Sequence, residues 1–408
     1  MSQMRPLLAS VFIVFCESMC FTTSLAVVHD YVGALAGDAM WIGLMFALVS
    51  GPKVFAAPMW GTLSDRYGRR PILAVNTVGT LTASVLWAVA PGMSGLAPLH
   101  WLAVSRVVLG VFGGQAGLTM AVAADVTTPE RRAAGMGLLG AAFGAAFTLG
   151  PPIGGWIGAR FSNEAVGWFC AGLQALSLVT ILFFLPETAR SLARPLTTRP
   201  TLPQAFRDDI GGMITLLRPA VVVLLVVTLL MTLGQSFVYS TLGEFSKARY
   251  GLDRRAVGYG FGLLGLVVVL VQGGAIRPLV RRYGEPPVAL VGFVITIAGL
   301  VAIGFSPGAT ELFAATAITG VGIALSTPCI SGLLSRSVDE TRQGTLNGLN
   351  QATLGLGRAG GSSLGGALLD RFPTGSVVFG TAAAVVAGAA LLLLGLHSPA
   401  TRERRSAA

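Results

Sequence analysis

The chain has 408 residues, 53% of them hydrophobic and only 11% charged, and its mean hydropathy of +0.74 lies far from the quarter-charged balance of soluble domains. That is the composition of a membrane protein, so the formal net charge of +10 has to be located before it is taken for a nucleic-acid footprint. Lys53 and Lys247 are the only lysines and there are three histidines, which excludes a Walker-type phosphate loop and an H-E-x-x-H metal pair; no cofactor and no metal are expected.

Apolar runs of about 20 residues, enough to cross roughly 30 Å of hydrocarbon as a helix, predict an all-α membrane protein. Its twelve transmembrane helices are expected at 7–28, 39–61, 71–91, 99–123, 133–157, 165–185, 218–240, 256–276, 287–306, 310–335, 345–369 and 375–397. With the amino terminus inside, the loops on that side hold 19 of the 28 Lys and Arg, the positive-inside pattern that puts both termini in the cytoplasm. The basic balance is therefore topology, and no nucleic-acid partner is expected. The longest polar interruption, "PETARSLARPLTTRPTLPQAFRDDIGG", divides the spans six and six. The organisation read from this is an N-terminal six-helix bundle (1–189), a cytoplasmic linker (190–217), a C-terminal six-helix bundle (218–397) and a cytoplasmic tail (398–408).

The first span is longer than the core of a signal peptide, has no small-residue cleavage site and carries Glu17 at mid-depth, so it is expected to remain as a span. Glu17 is the only acidic residue deep in any span, and Ser10, Glu17 and Ser24 mark a polar face. In the second span Gly43, Ala47, Ser50, Lys53, Ala57 and Gly61 follow the three-and-four spacing of one helical face. Lys53 thus lies among small residues on a packing face, from which its stem can either snorkel toward the cytoplasm or hold its ammonium in an internal cavity.

Between spans 2 and 3 stands "GTLSDRYGRR", Gly61 to Arg70, which fits G-x-x-x-D-R-x-G-R-R. Gly61 permits close helix approach, Gly68 a tight turn, and Asp65 can pair with Arg69. The segment resembles the signature cytoplasmic loop of the major facilitator superfamily, and span count, central linker and internal repeat extend the resemblance over the whole chain. The similarity is to the twelve-span drug:proton antiporter branch, the tetracycline and multidrug efflux type. It implies two six-helix bundles related as parallel repeats, with a cytoplasmic gate built from Gly61, Asp65, Arg66, Gly68, Arg69, Arg70 and Asp125 at the end of span 4. In the family the aspartate also meets the start of span 11. Glu17 occupies the place of the span 1 aspartate of tetracycline-type antiporters, although the proline pair they carry further along is replaced by Ala26 and His29.

In span 4, Arg106, Gly110, Gly113, Gly117 and Ala124 share a helical stripe, resembling the family's arginine pattern, and an arginine at mid-membrane is functional by default. In span 5, "GPPIGG" resembles the antiporter motif through Gly150, Pro151, Gly154 and Gly155, with Ala146 at its upstream glycine position. A shift of 211 residues brings Arg131, Gly150, Gly154, Gly155, Arg160 and Phe161 onto Arg342, Gly361, Gly365, Gly366, Arg371 and Phe372, and a shift of 216 brings Arg66, Tyr67, Gly68 and Pro71 onto Arg282, Tyr283, Gly284 and Pro287. The halves read as parallel repeats. The second has Arg281 where the first has Asp65, which argues against a matching latch there. In span 11, Arg358 shares a stripe with Asn347 and Gln351. Cys16, Cys20, Cys170 and Cys329 all fall within spans and read as small apolar fillers.

Glu17, Lys53, Arg106, Arg358, Gln351 and Asn347 are thus the candidates for proton coupling and the substrate cavity. The cations outnumber the single acid, which favours a substrate with an anionic group. The leading expectation is not an enzyme but a monomeric secondary transporter of the bacterial inner membrane. It would export a small amphiphilic compound by alternating access, with protons as coupling ion and the lipid bilayer as its surroundings. The alternatives are a proton-coupled importer of a small organic anion and a non-transporting membrane sensor on the same scaffold.

Overall fold

The computed structural model describes residues 4–36, 39–93, 97–127, 129–189, 216–338 and 343–396; the side chains at 4, 29, 36, 39, 40, 58, 129–134, 343–345, 347 and 348 lie outside the description. Most of the linker expected at 190–217 and the whole tail expected at 398–408 fall outside it.

Every described element is helical, as the absence of water in a bilayer demands of chains whose backbone groups must pair within each segment. In the first half the helices are α1 Met4–Ala36, α2 Ala39–Tyr67, α3 Arg69–Val89, α4 Pro98–Phe112, α5 Gln115–Val126, α6 Pro129–Arg160 and α7 Asn163–Phe184. The second half holds α8 Pro219–Tyr250, α9 Arg254–Leu270, α10 Ile276–Tyr283, α11 Glu285–Gly304, α12 Ala309–Arg336, α13 Gln343–Arg371 and α14 Ser376–Leu396. Ten segments are long and apolar enough to cross a bilayer, counting α4 with α5 and α9 with α10, and α2, bent by 43° at Pro58, makes an eleventh. The remaining expected span is α13, whose 29 residues are long enough but diluted by glycine, serine and asparagine.

Two spans expected to be continuous are interrupted. Span 8 loosens into a π-turn at Val271–Ala275 before α10. Span 4 breaks at Gly113 (φ −76°, ψ 51°) and Gly114 (φ −106°, ψ 4°), so the stripe read through Gly113 and Gly117 does not continue, and Gly117 faces open space. The backbone groups freed there are taken by side chains: Trp60 Nε1 donates to the Val111 carbonyl at 2.6 Å, and the Gly114 amide donates to Asn76 Oδ1 at 3.3 Å.

The chain forms two compact units. One holds α1, α2 from Leu48, α3–α7 and the start of α9 to Gly262; the other holds α2 to Ala47, α8, α9 from Leu263 and α10–α14. In the first, α1 packs on α6 and α7, and α3 on α4 and α7; in the second, α8 packs on α13 and α14, and α11 on α12 and α14. Between α4 and α2, a Cβ on Gly110 would stand 2.5 Å from the Val49 carbonyl oxygen, so only glycine lets these two backbones meet.

Candidate functional site

In the first unit three elements converge on Glu17. Lys53 Nζ on α2 lies 3.8 Å from Glu17 Oε1 on α1, with side-chain exposures of 36% and 13%. The Lys53 ammonium stands 3.7 Å from where a Cβ on Gly113 would be, that is, at the break in span 4. The backbone N–H of Ala116, in the first turn of α5, interacts with the same carboxylate. The break thus provides a helix start inside span 4 whose unpaired amides favour an anion. Lys53 is therefore turned to Glu17 and the break in span 4. Glu17 Oε2 is buried without a hydrogen-bond partner among the described residues.

Arg106 on α4 does not join that pair. Its guanidinium lies over the Trp87 ring, 4.0 Å from the centroid, and Nη2 donates to Ser105 Oγ at 3.3 Å. Trp87 is fixed in turn by Tyr31, whose ring meets it edge-on and whose hydroxyl donates to the Trp87 carbonyl at 3.0 Å. Beside Arg106 runs a buried polar network. Gln115 Nε2 donates to Thr77 Oγ1 (3.0 Å), Thr80 Oγ1 (2.9 Å) and Gln174 Oε1 (3.3 Å), and Gln174 Nε2 donates to Cys20 Sγ at 3.6 Å. Cys20 and Cys170 are not apolar fillers. Each thiol donates to the other residue's carbonyl, at 3.5 and 3.7 Å, because α1 and α7 approach closely at that level.

In the second unit Arg358 is exposed on α13, near Tyr239 of α8. Gln351 is exposed on the same helix, and the Asn347 side chain lies outside the description.

At the loop end of the first unit, Arg69 Nη2 lies 2.6 Å from Asp65 Oδ1, Arg69 Nε donates to Asp125 Oδ2 at 3.1 Å, and Nη1 donates to Ser64 Oγ at 2.6 Å. Glu187, which follows α7, caps the start of α3: its two carboxylate oxygens accept the amides of Arg69 (2.8 Å) and Arg70 (3.2 Å). Arg70 Nη2 also donates to the Leu182 carbonyl. Gly68 turns the chain with φ 111°, and a Cβ there would collide with Glu187, so glycine is required on both counts. Arg66 rests against Tyr67. Gly61 departs from expectation: no described atom comes within 4 Å of where its Cβ would stand, so the close helix approach is not made there.

The second unit carries a counterpart that the sequence reading argued against. Glu285, the first residue of α11 after Gly284 (φ 83°), accepts from Arg336 at the end of α12, Nη2 to Oε1 3.1 Å. Arg69 holds the matching place in α3 after Gly68, and Asp125 lies at the end of α5. The polarity is inverted, with the acid and the base exchanged. The loop acid Asp65 itself has no acidic counterpart, since Arg281 stands at its repeat position; what recurs is the pair between the helix start and the end of the neighbouring span.

The motif in α6 presents glycines to two neighbours. Gly150 and Gly154 pack against Thr22 and Thr23 of α1, and Gly155 against the backbone of Arg254. Gly258 of α9 meets the Pro151 carbonyl. At Ala146, Thr22 Oγ1 donates to the carbonyl at 2.9 Å. Arg254 is held by Asp30 (Nε to Oδ2, 2.7 Å) and the Gly158 carbonyl (Nη1, 2.7 Å).

Residues 7–277 and 224–408 match the model of the Major Facilitator Superfamily. The chain belongs to this superfamily. It is 29% identical over 307 residues to the class C tetracycline resistance protein of Escherichia coli, covering 75% of this chain and 74% of that protein. To the class E protein of the same organism it is 27% identical over 359 residues, 85% and 83% of the two chains. To the human major facilitator superfamily domain-containing protein 10 it is 27% identical over 339 residues, 78% and 71%. The crystal structure of the human organic anion transporter MFSD10 covers 96% of this chain with TM-score 0.72 and 23% identity over 99% of its own length. The nucleoside transporter NupG covers 96% with TM-score 0.75 and 13% identity over 100% of its own. Both share the fold. The protein is a multi-pass integral membrane transporter and not an enzyme.

Proposed function

We propose that this transporter is a secondary exporter, a drug:proton antiporter. Its two six-helix halves alternate access to a central site and expel a small amphiphilic organic compound bearing an anionic group, with both termini in the cytoplasm of a bacterial inner membrane. The observation that carries the reading is the Lys53–Glu17 pair at the break in span 4. It is a carboxylate inside the membrane-spanning region whose charge is balanced, among the described residues, by a lysine and a helix start. Loss of that charge to a proton, or its engagement by a polar group of the substrate, are two alternative ways of satisfying the same oxygen, as exchange requires. The "GPPIGG" segment and the similarity to tetracycline resistance proteins support export. The cation Arg358, in no ion pair among the described residues, supports an anionic group.

A second reading, import of an organic anion together with a proton, is favoured by the same pair: a proton on Glu17 leaves Lys53 for an anion. Both are tested in inverted vesicles by following lumenal pH while candidate compounds are added. Exchange makes protons leave the lumen as compound enters; cotransport moves both the same way. The Glu17→Gln variant should show neither coupled flux while still binding compound, and coupling undiminished in that variant would remove Glu17 from the role.

A further inference from the structure

We propose that Arg106 and the cavity beside it form a binding site for a small, weakly hydrated monovalent anion, with chloride as the physiological occupant. Arg106 is 7% exposed and its Nε is buried without a hydrogen-bond partner among the described residues. No ion pair found among the described residues includes Arg106. Stacking on Trp87 stabilises the cation but leaves its charge uncancelled, and a guanidinium buried within a span is costly until a counter-charge is found.

The cavity it faces is about 20 Å³, room for one water-sized particle, and Cys20, Ser24, Ser84, Trp87, Val166 and Cys170 line it. The chemistry of these walls selects among anions. Ser24 Oγ donates to the Phe21 carbonyl at 2.7 Å and Ser84 Oγ to the Thr80 carbonyl at 3.0 Å, while both thiols donate to backbone. The donors left for a ligand are those of Arg106: Nε–H is buried without a partner and Nη1 makes no hydrogen bond among the described residues. Sulfate or phosphate, with five heavy atoms, is too large for a cavity of about 20 Å³. A halide needs one strong charge-assisted donor, and the surrounding sulfur, indole and aliphatic groups are polarisable. A water molecule would satisfy Nε but not the charge.

The test uses the purified full-length protein in detergent, titrated with sodium chloride, bromide or fluoride replacing sodium gluconate at constant ionic strength. Chloride and bromide should raise the thermal unfolding midpoint saturably by a few degrees, fluoride and gluconate should not, and bromide should quench a saturable fraction of tryptophan emission that Trp87→Phe removes. Arg106→Gln should abolish the stabilisation. Should that variant fail to fold, bromide quenching in the wild type against Trp87→Phe decides the matter alone. A midpoint that follows ionic strength whatever the anion, or bromide quenching that survives Trp87→Phe, would overturn the proposal.

Discussion

The motif loop places two acids on Arg69, and the geometry ranks them in an order that the motif does not suggest. Asp65, the motif's own acid, makes the shorter contact at 2.6 Å but is 61% exposed; Asp125, 3.1 Å away, is 19% exposed, and Arg69 itself 12%. An exposed pair contributes about 0.2–1 kcal/mol because water screens it. Removing one partner of a buried pair costs about 3–5 kcal/mol, reduced here to about 2 because Asp65 stays to balance Arg69. Asp125→Asn should therefore loosen the junction of α2, α3 and α5 by about 30-fold in its opening equilibrium, since each 1.4 kcal/mol is about a factor of ten; Asp65→Asn should do so by less than about 5-fold. Hydrogen–deuterium exchange of the amides in 61–73, two of which Glu187 caps, reads this directly. A double-mutant cycle with Arg69→Gln should return a larger coupling for Asp125 than for Asp65. Equal exchange in the two variants, or a larger effect of Asp65→Asn, would refute the burial argument.

Lys53→Gln should leave the preference for anionic over neutral analogues in place, because in exchange the anionic end is met outside the Glu17 pair. An ammonium about 4 Å from a charge is worth about 4 kcal/mol at an effective dielectric near 20, less the screening that its exposure brings, so a ratio of matched analogues that shifts toward the neutral one would place the anion on Lys53 and refute exchange. Trp60→Phe removes the donor that satisfies the Val111 carbonyl at the break in span 4, and should cost about 1–3 kcal/mol, seen as a lowered thermal midpoint. An unaltered midpoint would show that another group takes the carbonyl. Arg336→Glu should destabilise the second unit by placing two acids together, and adding Glu285→Arg should restore it; failure of the exchange to rescue would remove the inverted pair from a structural role.

The spans were legible because a stretch of 20 apolar residues leaves the backbone one solution in lipid, and the loop motif because its turn needs a glycine at Gly68. What escaped the sequence was partnership. Glu17 and Lys53 stood out singly, yet nothing along the chain says that two helices bring them together. The break in span 4 was hidden because Gly113 reads as one of a stripe of packing glycines. Its signal was the pair Gly113 and Gly114 followed at once by the amide Gln115, with Asn76 and Trp60 as unexplained polar groups in neighbouring spans. The Glu285–Arg336 pair was within reach of the repeat itself: the offset of 216 carries Arg69 to Glu285 and the offset of 211 carries Asp125 to Arg336. Identity of residue type concealed it, because a repeat can keep an ion pair while exchanging its signs.

The pair at Glu17 also constrains how export and an anionic substrate can coexist. If the substrate's anionic group engaged Lys53, it would compete with the Glu17 carboxylate for the same ammonium, and a proton on Glu17 would help it to bind. Proton and substrate would then load together, which is cotransport. Exchange requires the reverse, that the substrate occupy the carboxylate which the proton would otherwise take. An exporter of anions built on this chain must therefore meet its substrate's anionic end with a cation outside the pair, and present Glu17 to a polar or donor group elsewhere on the same molecule. The Lys53→Gln comparison separates the two arrangements: loss of preference for anionic analogues places the anion on Lys53 and argues for cotransport, whereas a retained preference leaves the anionic end to Arg358 and keeps Glu17 for exchange.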